Sequence, residues 1–396
     1  MIQRAYKYRL YPKPQQEEFL AKHFGCARFI YNWGLNLKIN NYQKEKKSIS
    51  FFNTCKLMKQ KKSELPWLSE VNSQSLQAAL KNLDNAFIRF FREKKGFPNF
   101  KSRKSKQSFS CPQNVKVNWN NSTVTLPKIG EIRAIFSRQF VGKIKTCTIS
   151  KTPTNKYFIS ILVETPEHNT KKLKIKNETT VGVDVGLKDF AILSDGVKIN
   201  NPRYLRTSEQ RLKVLQRRAS NKKKGSNNRR KAFLRVARQY EKIKNQRDDF
   251  LHKASTKLVR ENQTICLETL NVAGMLKNHN LAKSIADASW SRFMQFLNYK
   301  AEWYGCNIIH IGQFEASSKT CSECGMVKHD LTLVDRKWAC EGCGILHDRD
   351  VNAAINIKKM ALQKQNLIGY SGTGSSGELL ESSPLGEAMK EESQLL

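Results

Sequence analysis

Four cysteines in the order C-x2-C-x15-C-x2-C, at Cys321, Cys324, Cys340 and Cys343, constrain this chain more than any other feature. The spacing lets two short knuckles each offer two thiolates to one tetrahedral ion, the geometry of a closed structural zinc site. Four free cysteines would leave two identical C-x-x-C pairs to coincidence. A zinc ribbon over about 319–346 is therefore expected, with His329 and His347 as ligands only if a thiolate fails. Close behind comes His347-Asp348-Arg349-Asp350-Val351-Asn352-Ala353-Ala354, an acidic stretch that a structural ribbon does not itself require.

Charge points to the partner. The 396 residues carry 70 Lys+Arg against 34 Asp+Glu, a formal net charge of +36. Such an excess repels itself in a compact protein unless a polyanion shares the surface, which makes nucleic acid the expected partner. The longest apolar run, Tyr157 to Val163, is far short of the roughly 20 residues that span a bilayer. The opening Met1 to Arg9 has no secretory apolar core. The other six cysteines are scattered singly, as reduced thiols are. A cytoplasmic protein without membrane contact is expected.

Along the chain, alternation in Ala5 to Tyr11 predicts a first strand over 1–11, ended by Pro12 and Pro14. Helical spacing of Phe19, Phe24, Ile30, Leu76, Leu80, Leu83 and Phe87 predicts a helical domain over 12–105. β-rich alternation predicts a small barrel over 106–178, to which the first strand belongs. From 179 to 318 buried strands alternate with helices. A basic helical hairpin over 205–260 interrupts them, with Lys222, Lys223, Lys224, Arg229 and Arg230 near its turn. Almost no acids interleave its first half, so ordinary ion-pair lacing fails and contact with phosphates is the better expectation. Residues 347–364 return to the alternating domain. The Gly-, Ser- and Glu-rich stretch 365–396 is expected to be a disordered tail.

Three carboxylates stand where backbone geometry aims them into one pocket. Asp184 lies between Val183 and Val185 in a strand, Glu268 near the end of another, and Asp350 just before a helix. An acid among apolar strand residues is costly to bury alone. Two divalent ions about 3.5–4 Å apart would offset the repulsion and activate water against a phosphodiester. Oxygen ligands suit Mg2+ or Mn2+, leaving zinc to the thiolates. Asp189 and Asp195 are expected in turns, and Asp348 is the alternative to Asp350. The order and setting of the acids are those of a ribonuclease H-like fold.

The segments YKYRLYPKPQQ with CARFIYNWGL, GVDVGLKDFAILSDG, ICLETLNVAGM, and TCSECG through WACEGCGILHDRDVNAAINI carry a resemblance that covers Met1 to about Ala361. The chain resembles the TnpB family, encoded by bacterial insertion sequences and related to type V CRISPR effectors. The resemblance implies an α+β multidomain protein: a helical, helix-turn-helix-like recognition domain, a wedge β-barrel, and a RuvC-like nuclease with an inserted zinc ribbon. It also implies an RNA-guided DNA endonuclease with Asp184, Glu268 and Asp350 as catalytic, metal-holding acids. Its implied partners are a noncoding guide RNA from the element's own end and double-stranded target DNA beside a short motif. The protein would be monomeric with its RNA and act at the nucleoid. Thr269 departs from the Asp that commonly follows the catalytic Glu in relatives. Tyr6, Tyr8, Tyr11, Trp33 and Phe97, near basic residues, are candidates for stacking on bases. A strand-joining transposase and a catalytically silent DNA-binding regulator are the competing readings.

Overall fold

The computed structural model describes residues 2–166, 170–312, 315, 317–332 and 334–370, with side chains to 365. The chain forms two compact units that divide at 168/169. No described helix is long and apolar enough to cross a membrane.

The first unit runs β1 (Ile2–Tyr11), α1 (Pro14–Glu45), α2 (Phe51–Glu64), α3 (Ser73–Arg92), β2 (Gln107–Cys111), β3 (Lys116–Asn118), β4 (Thr123–Leu126), β5 (Gly130–Ile135), β6 (Lys143–Lys151) and β7 (Tyr157–Thr165). The strands make one curled antiparallel sheet in the order β2-β6-β7-β1-β5-β4-β3. β1 is its spine, pairing with β7 from Ile2 to Leu10 and with β5 from Arg9 to Tyr11. Strict alternation puts Tyr157, Ile159, Ile161 and Val163 of β7 inside. Among the described residues β2 and β3 are ladder ends, so the expected barrel is a curled sheet rather than a closed hydrogen-bonded ring.

Pro14 sits in the first turn of α1, and the Lys13 N–H donates to Gln16 Oε1 at 2.9 Å. Leu20, Phe24, Ala27, Tyr31 and Leu35 of this helix enter the sheet core, while Cys26 and Ile30 pack on Met58, Leu68, Leu76 and Leu80 of the helical layer. One two-faced helix thus fuses the segment expected as 12–105 with most of that expected as 106–178 into a single compact unit, while residues 170–178 fall in the second unit. Tyr6 and Tyr8 are 8% and 2% exposed, and the Tyr8 hydroxyl donates to the Arg138 carbonyl at 2.9 Å. They are core, not stacking platforms. Tyr11 and Phe97 do face solvent.

The second unit runs β8 (Thr180–Val185), β9 (Asp189–Leu193), β10 (Lys198–Asn200), α4 (Tyr204–Ser220), α5 (Asn227–Glu261), β11 (Thr264–Glu268), α6 (Val272–Met275), α7 (Ala282–Ala288), α8 (Trp290–Tyr304), β12 (Asn307–Ile311), β13 (Lys337–Ala339), β14 (Leu346–Asp348) and α9 (Arg349–Tyr370). Its main sheet has the order β10-β9-β8-β11-β12, with β10-β9-β8 antiparallel and β8-β11-β12 parallel. This is the ribonuclease H-like topology. β14 carries the ribbon to Asp348, two residues past the expected boundary. Residues 365–370, expected in the tail, continue α9, and the rest of that tail lies outside the described residues.

Val181, Val183, Ile265 and Leu267 fill one face of the sheet against Leu251 and Leu258 of α5 and Phe293 and Leu297 of α8. On the other face Cys266, Ile309 and Ile311 meet Ile357 and Ala361 of α9. Gly182 lets α9 lie directly on β8, because a Cβ there would sit 2.0 Å from the Ala354 carbonyl oxygen and 2.9 Å from the Lys358 nitrogen. Gly182→Ala should lift α9 off the strand, costing about 1–3 kcal/mol or more of stability. A thermal melt of the second unit's transition checks this; an unchanged melt would mean the helix yields without cost.

Candidate active site and metal centre

Side chains alternate along a strand, so with Val183 and Leu267 facing α5 and α8, Asp184 and Glu268 face the α9 side. β8 and β11 are parallel, with Val183 opposite Leu267. One step on, the two acids come side by side at the carboxyl ends of neighbouring strands, which lie about 4.8 Å apart. Asp350 stands in the first turn of α9. Burial, then the Glu268 and Asp350 carboxylates, push Asp184 up from 3.8 to about 7, with Arg349 pulling the other way. The three acids are therefore one electrostatic cluster.

Asp348 and Asp350 have different jobs. Asp348 Oδ1 accepts from the Asp350 and Val351 N–H groups at 3.1 and 3.3 Å, which caps α9. Its Oδ2 takes the Lys198 ammonium at 2.7 Å. Burial opposes its charge, but Lys198 and the two backbone N–H groups outweigh it and hold the carboxyl below its usual range. Asp350, by contrast, belongs with Asp184. Asp195 holds the β9–β10 turn by accepting from the Val197 N–H at 3.0 Å, while Asp189 opens β9 rather than lying in a turn.

Several partners had no signal in the sequence. The Ser317 hydroxyl donates to Glu268 Oε1, and Arg336 reaches Asp350 Oδ2 at 3.4 Å. Thr269 gives its hydroxyl to the Ile311 carbonyl at 2.8 Å, so this departure from the family pattern extends the sheet edge. Asn352 Oδ1 accepts from the Ser322 N–H at 2.9 Å while its Nδ2 donates to the Thr320 carbonyl at 2.7 Å. Asn356 Nδ2 donates to the carbonyls of Ser317 and Thr320 at 2.8 and 2.6 Å. Two buried asparagines thus bolt the first knuckle to α9, which explains the Asn of R-D-x-N-A-A.

In the ribbon, Cys321, Cys324, Cys340 and Cys343 converge, with all four sulfurs within 4.8 Å of one another. Cys321 and Cys343 are 3.7 Å apart, and Cys324 and Cys340 3.4 Å. Four sulfurs each about 2.3 Å from a tetrahedral zinc stand about 3.7 Å apart, so the set fits that ion. The knuckles are twins: Gly325 and Gly344 have φ of 79° and 72°, and their N–H groups donate to the Cys321 and Cys340 carbonyls at 3.0 and 2.8 Å. Only glycine adopts this left-handed turn at little cost. Backbone N–H groups of Cys343 and Gly342 lower the Cys340 thiol to about 6. His347 Nε2 lies 3.1 Å from Cys321 Sγ, beside the sulfur set rather than in it, and His329 is exposed.

The three carboxylates do not close to that spacing, since among the described residues only the four cysteines form a set of metal-ligating atoms within 4.8 Å. Glu268 is turned to Ser317 and Asp350 to Arg336. As donors, a mutually repelling trio of carboxylates suits a hard divalent cation.

In the basic hairpin, Lys222, Lys223 and Lys224 are exposed on the turn between α4 and α5. Arg229 is engaged. Its guanidinium donates to the Ser220 and Lys222 carbonyls at 3.3 and 2.7 Å, closing the end of α4, and lies over Phe233 at 5.1 Å. Arg230 bonds Asn227. Leu212, Ala219 and Val236 lock the two helices together.

A ribonuclease H-like unit with three clustered acids and a four-cysteine ribbon, preceded by a helix-backed curled sheet, defines an α+β protein of the nuclease class. A family model described as "Probable transposase" matches residues 160–279, one described as "Cas12f1-like, TNB domain" residues 290–357, and one described as "Helix-turn-helix domain" residues 1–47. In this chain the last span holds β1 and the single long helix α1. A "Putative RNA-guided DNA endonuclease" of Streptomyces pristinaespiralis is 40% identical over 90% of this chain and 89% of its own length. The "Putative RNA-guided DNA endonuclease InsQ" of Escherichia coli is 32% identical over 89% and 91%. Among solved structures, the "Cryo-EM structure of the Cas12f1-sgRNA-target DNA complex" is similar with a TM-score of 0.49 and 13% identity, covering 90% of this chain and 98% of that one. The chain belongs to the TnpB family.

Proposed function

We propose that this protein is an RNA-guided DNA endonuclease of an insertion sequence, cutting double-stranded target DNA beside a short motif by phosphodiester hydrolysis. The observation that carries the reading is Asp184, pushed up to about 7 by burial beside Glu268 and Asp350. A site that confines three like charges is built for a cation. Asp184, Glu268 and Asp350 are the residues to hold Mg2+ or Mn2+, which when bound supplies Lewis-acid activation of the phosphodiester and of the attacking water. Ser317 orients Glu268, Asp348 fixes the start of α9 that carries Asp350, and Arg336 and Arg349 bring positive charge to where a scissile phosphate would lie. The guide is a noncoding RNA from the element's own end, and sequence is read by pairing while the protein holds backbones. The protein works as a monomer with its RNA, in the cytoplasm, on nucleoid DNA.

Purified protein with its copurifying RNA should cut a duplex matching that RNA and leave free ends. Strand joining would favour the transposase reading, and binding without cutting the silent regulator.

The hairpin lies along an RNA or heteroduplex backbone in this proposal. Replacing Lys222, Lys223, Lys224 and Arg230 by Gln should weaken guide-RNA binding regardless of sequence and flatten the salt dependence by about 3 log units per log of salt, at roughly 0.7–0.9 per phosphate. Arg229 is best kept, because it closes α4. Titrations at several salt concentrations decide, and an unchanged slope would return the hairpin to solvent.

A further inference from the structure

Two clefts open on α1 within the first unit, and Arg28 lines both. The first is a small cleft of about 50 Å³, and its charged lining is Arg28, Lys101 and Lys106, set among hydroxyls such as Ser75 and Ser110. The second is bounded by Gly25, Arg28, Phe29, Asn32 and Trp33, which recur at the 3-4 spacing of one helix stripe. No Asp or Glu lines either. Three cations among hydroxyls with no carboxylate repel one another until an anion joins them.

The cleft is pre-formed. Asn32 clasps the main chain of Lys101 with both amide atoms, Oδ1 accepting from its N–H at 2.8 Å and Nδ2 donating to its carbonyl at 2.9 Å. The Lys101 ammonium lies 3.8 Å from the centre of the Tyr31 ring. Arg28 gives one N–H to Gln107 Oε1 at 2.8 Å, out of the five that a guanidinium carries. Beside it Phe29 meets Trp67 edge-on at 5.0 Å, and Trp67 is 39% exposed. Between the aromatic side and Arg28 lies Gly25, where a Cβ would meet nothing within 4 Å. A mid-helix glycine costs roughly 0.5–1 kcal/mol against alanine. Here that cost leaves an open floor next to aromatic rings.

We propose that this face of α1 binds one unpaired nucleotide. Its phosphate is held by Arg28, Lys101 and Lys106, and its base lies over Gly25 against Phe29 and Trp33. An unpaired base is required, because only a base splayed from its stack presents a face to these rings. Guide RNA and locally unwound DNA share this chemistry. The site rests on the reading of the chain as a nucleic-acid protein but not on its cleavage activity.

The test uses the full chain in its RNA complex. In one arm the RNA carries 4-thiouridine, and in the other the target DNA carries 5-iododeoxyuridine; after irradiation, adducts are mapped by mass spectrometry. An adduct on Phe29 or Trp33 is expected, and the arm that gives it names the source. No adduct on these residues in either arm overturns the proposal. Gly25→Leu fills the floor while removing no contact and raises helix propensity, so the adduct should fall about ten-fold, as for the loss of one stacked base, with the melting temperature equal or higher. An undiminished adduct overturns the proposal. Asp184→Asn protein should give the full adduct, so a failure of cleavage and a failure of this site are told apart.

Discussion

Asp184→Asn should abolish guided cleavage, lowering its rate constant on the order of 10³-fold or more, with RNA and target binding retained. The substitution keeps the shape of β8 and removes the charge that the Glu268 and Asp350 carboxylates repel. A second consequence follows from burial. In protein free of divalent ions, Asp184 titrates near 7 when folded against 3.8 when unfolded. The folded state therefore holds the proton more tightly, and the stability present below about pH 4 is lost as pH rises through 7. At 1.36 kcal/mol per unit the loss is at most about 4 kcal/mol. Metal-free Asp184→Asn should thus melt higher than wild type at pH 8 and no differently at pH 4. Added Mg2+ should raise the wild-type melt and leave the variant's unmoved. Asp350→Ala should also abolish cutting. Asp348→Ala should cost about 1 kcal/mol as a lost cap and keep much of the activity. Equal melts at pH 8, or cutting by the Asp350 variant, would place the chemistry elsewhere.

What the sequence made legible was local. C-x2-C pairs fix their own knuckle, because the turn is four residues long with both cysteines included. Alternation around Asp184 sets its side of the strand without knowledge of any partner strand. The split between Asp348 and Asp350 was not legible, since it depends on Lys198, 150 residues away in sequence, and on which carboxyl meets the first N–H groups of α9. Neither was Ser317, a polar residue in a loop whose role appears only when Asn356 holds its carbonyl. Tyr6 and Tyr8 read as candidates for stacking on bases because basic residues flank them, yet the sheet curls around them and Phe136 and Phe140 close over their rings. Gly182 looked like any strand glycine. Its need arises from α9, which packs on it from a point over 170 residues later. In each case the missing information was a long-range partner, and partner choice is decided by packing rather than by propensity.

Cys340→Ser should release the ribbon's metal, about one zinc per chain, and take the nuclease centre with it. Structural thiolate sites couple metal binding to local folding, and here the coupling has a path. The first knuckle is held to α9 by Asn352 and Asn356, and Ser317, bonded to Glu268, is held by the same Asn356. Once the knuckles open, Thr320 and Ser322 no longer order these asparagines. The carboxyl of Glu268 then loses its orienting hydroxyl, and the first turn of α9 loses its brace beside Asp350. Cleavage should fall at least about 100-fold, the upper end of what loss of supporting partners costs a metal site. Melting of the first unit, with a core that includes no ribbon residue, should stay where it is. Metal analysis together with hydrogen exchange over 317–356 tests the chain of effects. Exchange rising in the ribbon and at Asn352 and Asn356, with zinc lost, is the expected result. Zinc lost with α9 still protected and cutting intact would make the ribbon a separate module, and the two asparagines would then serve only to dock it.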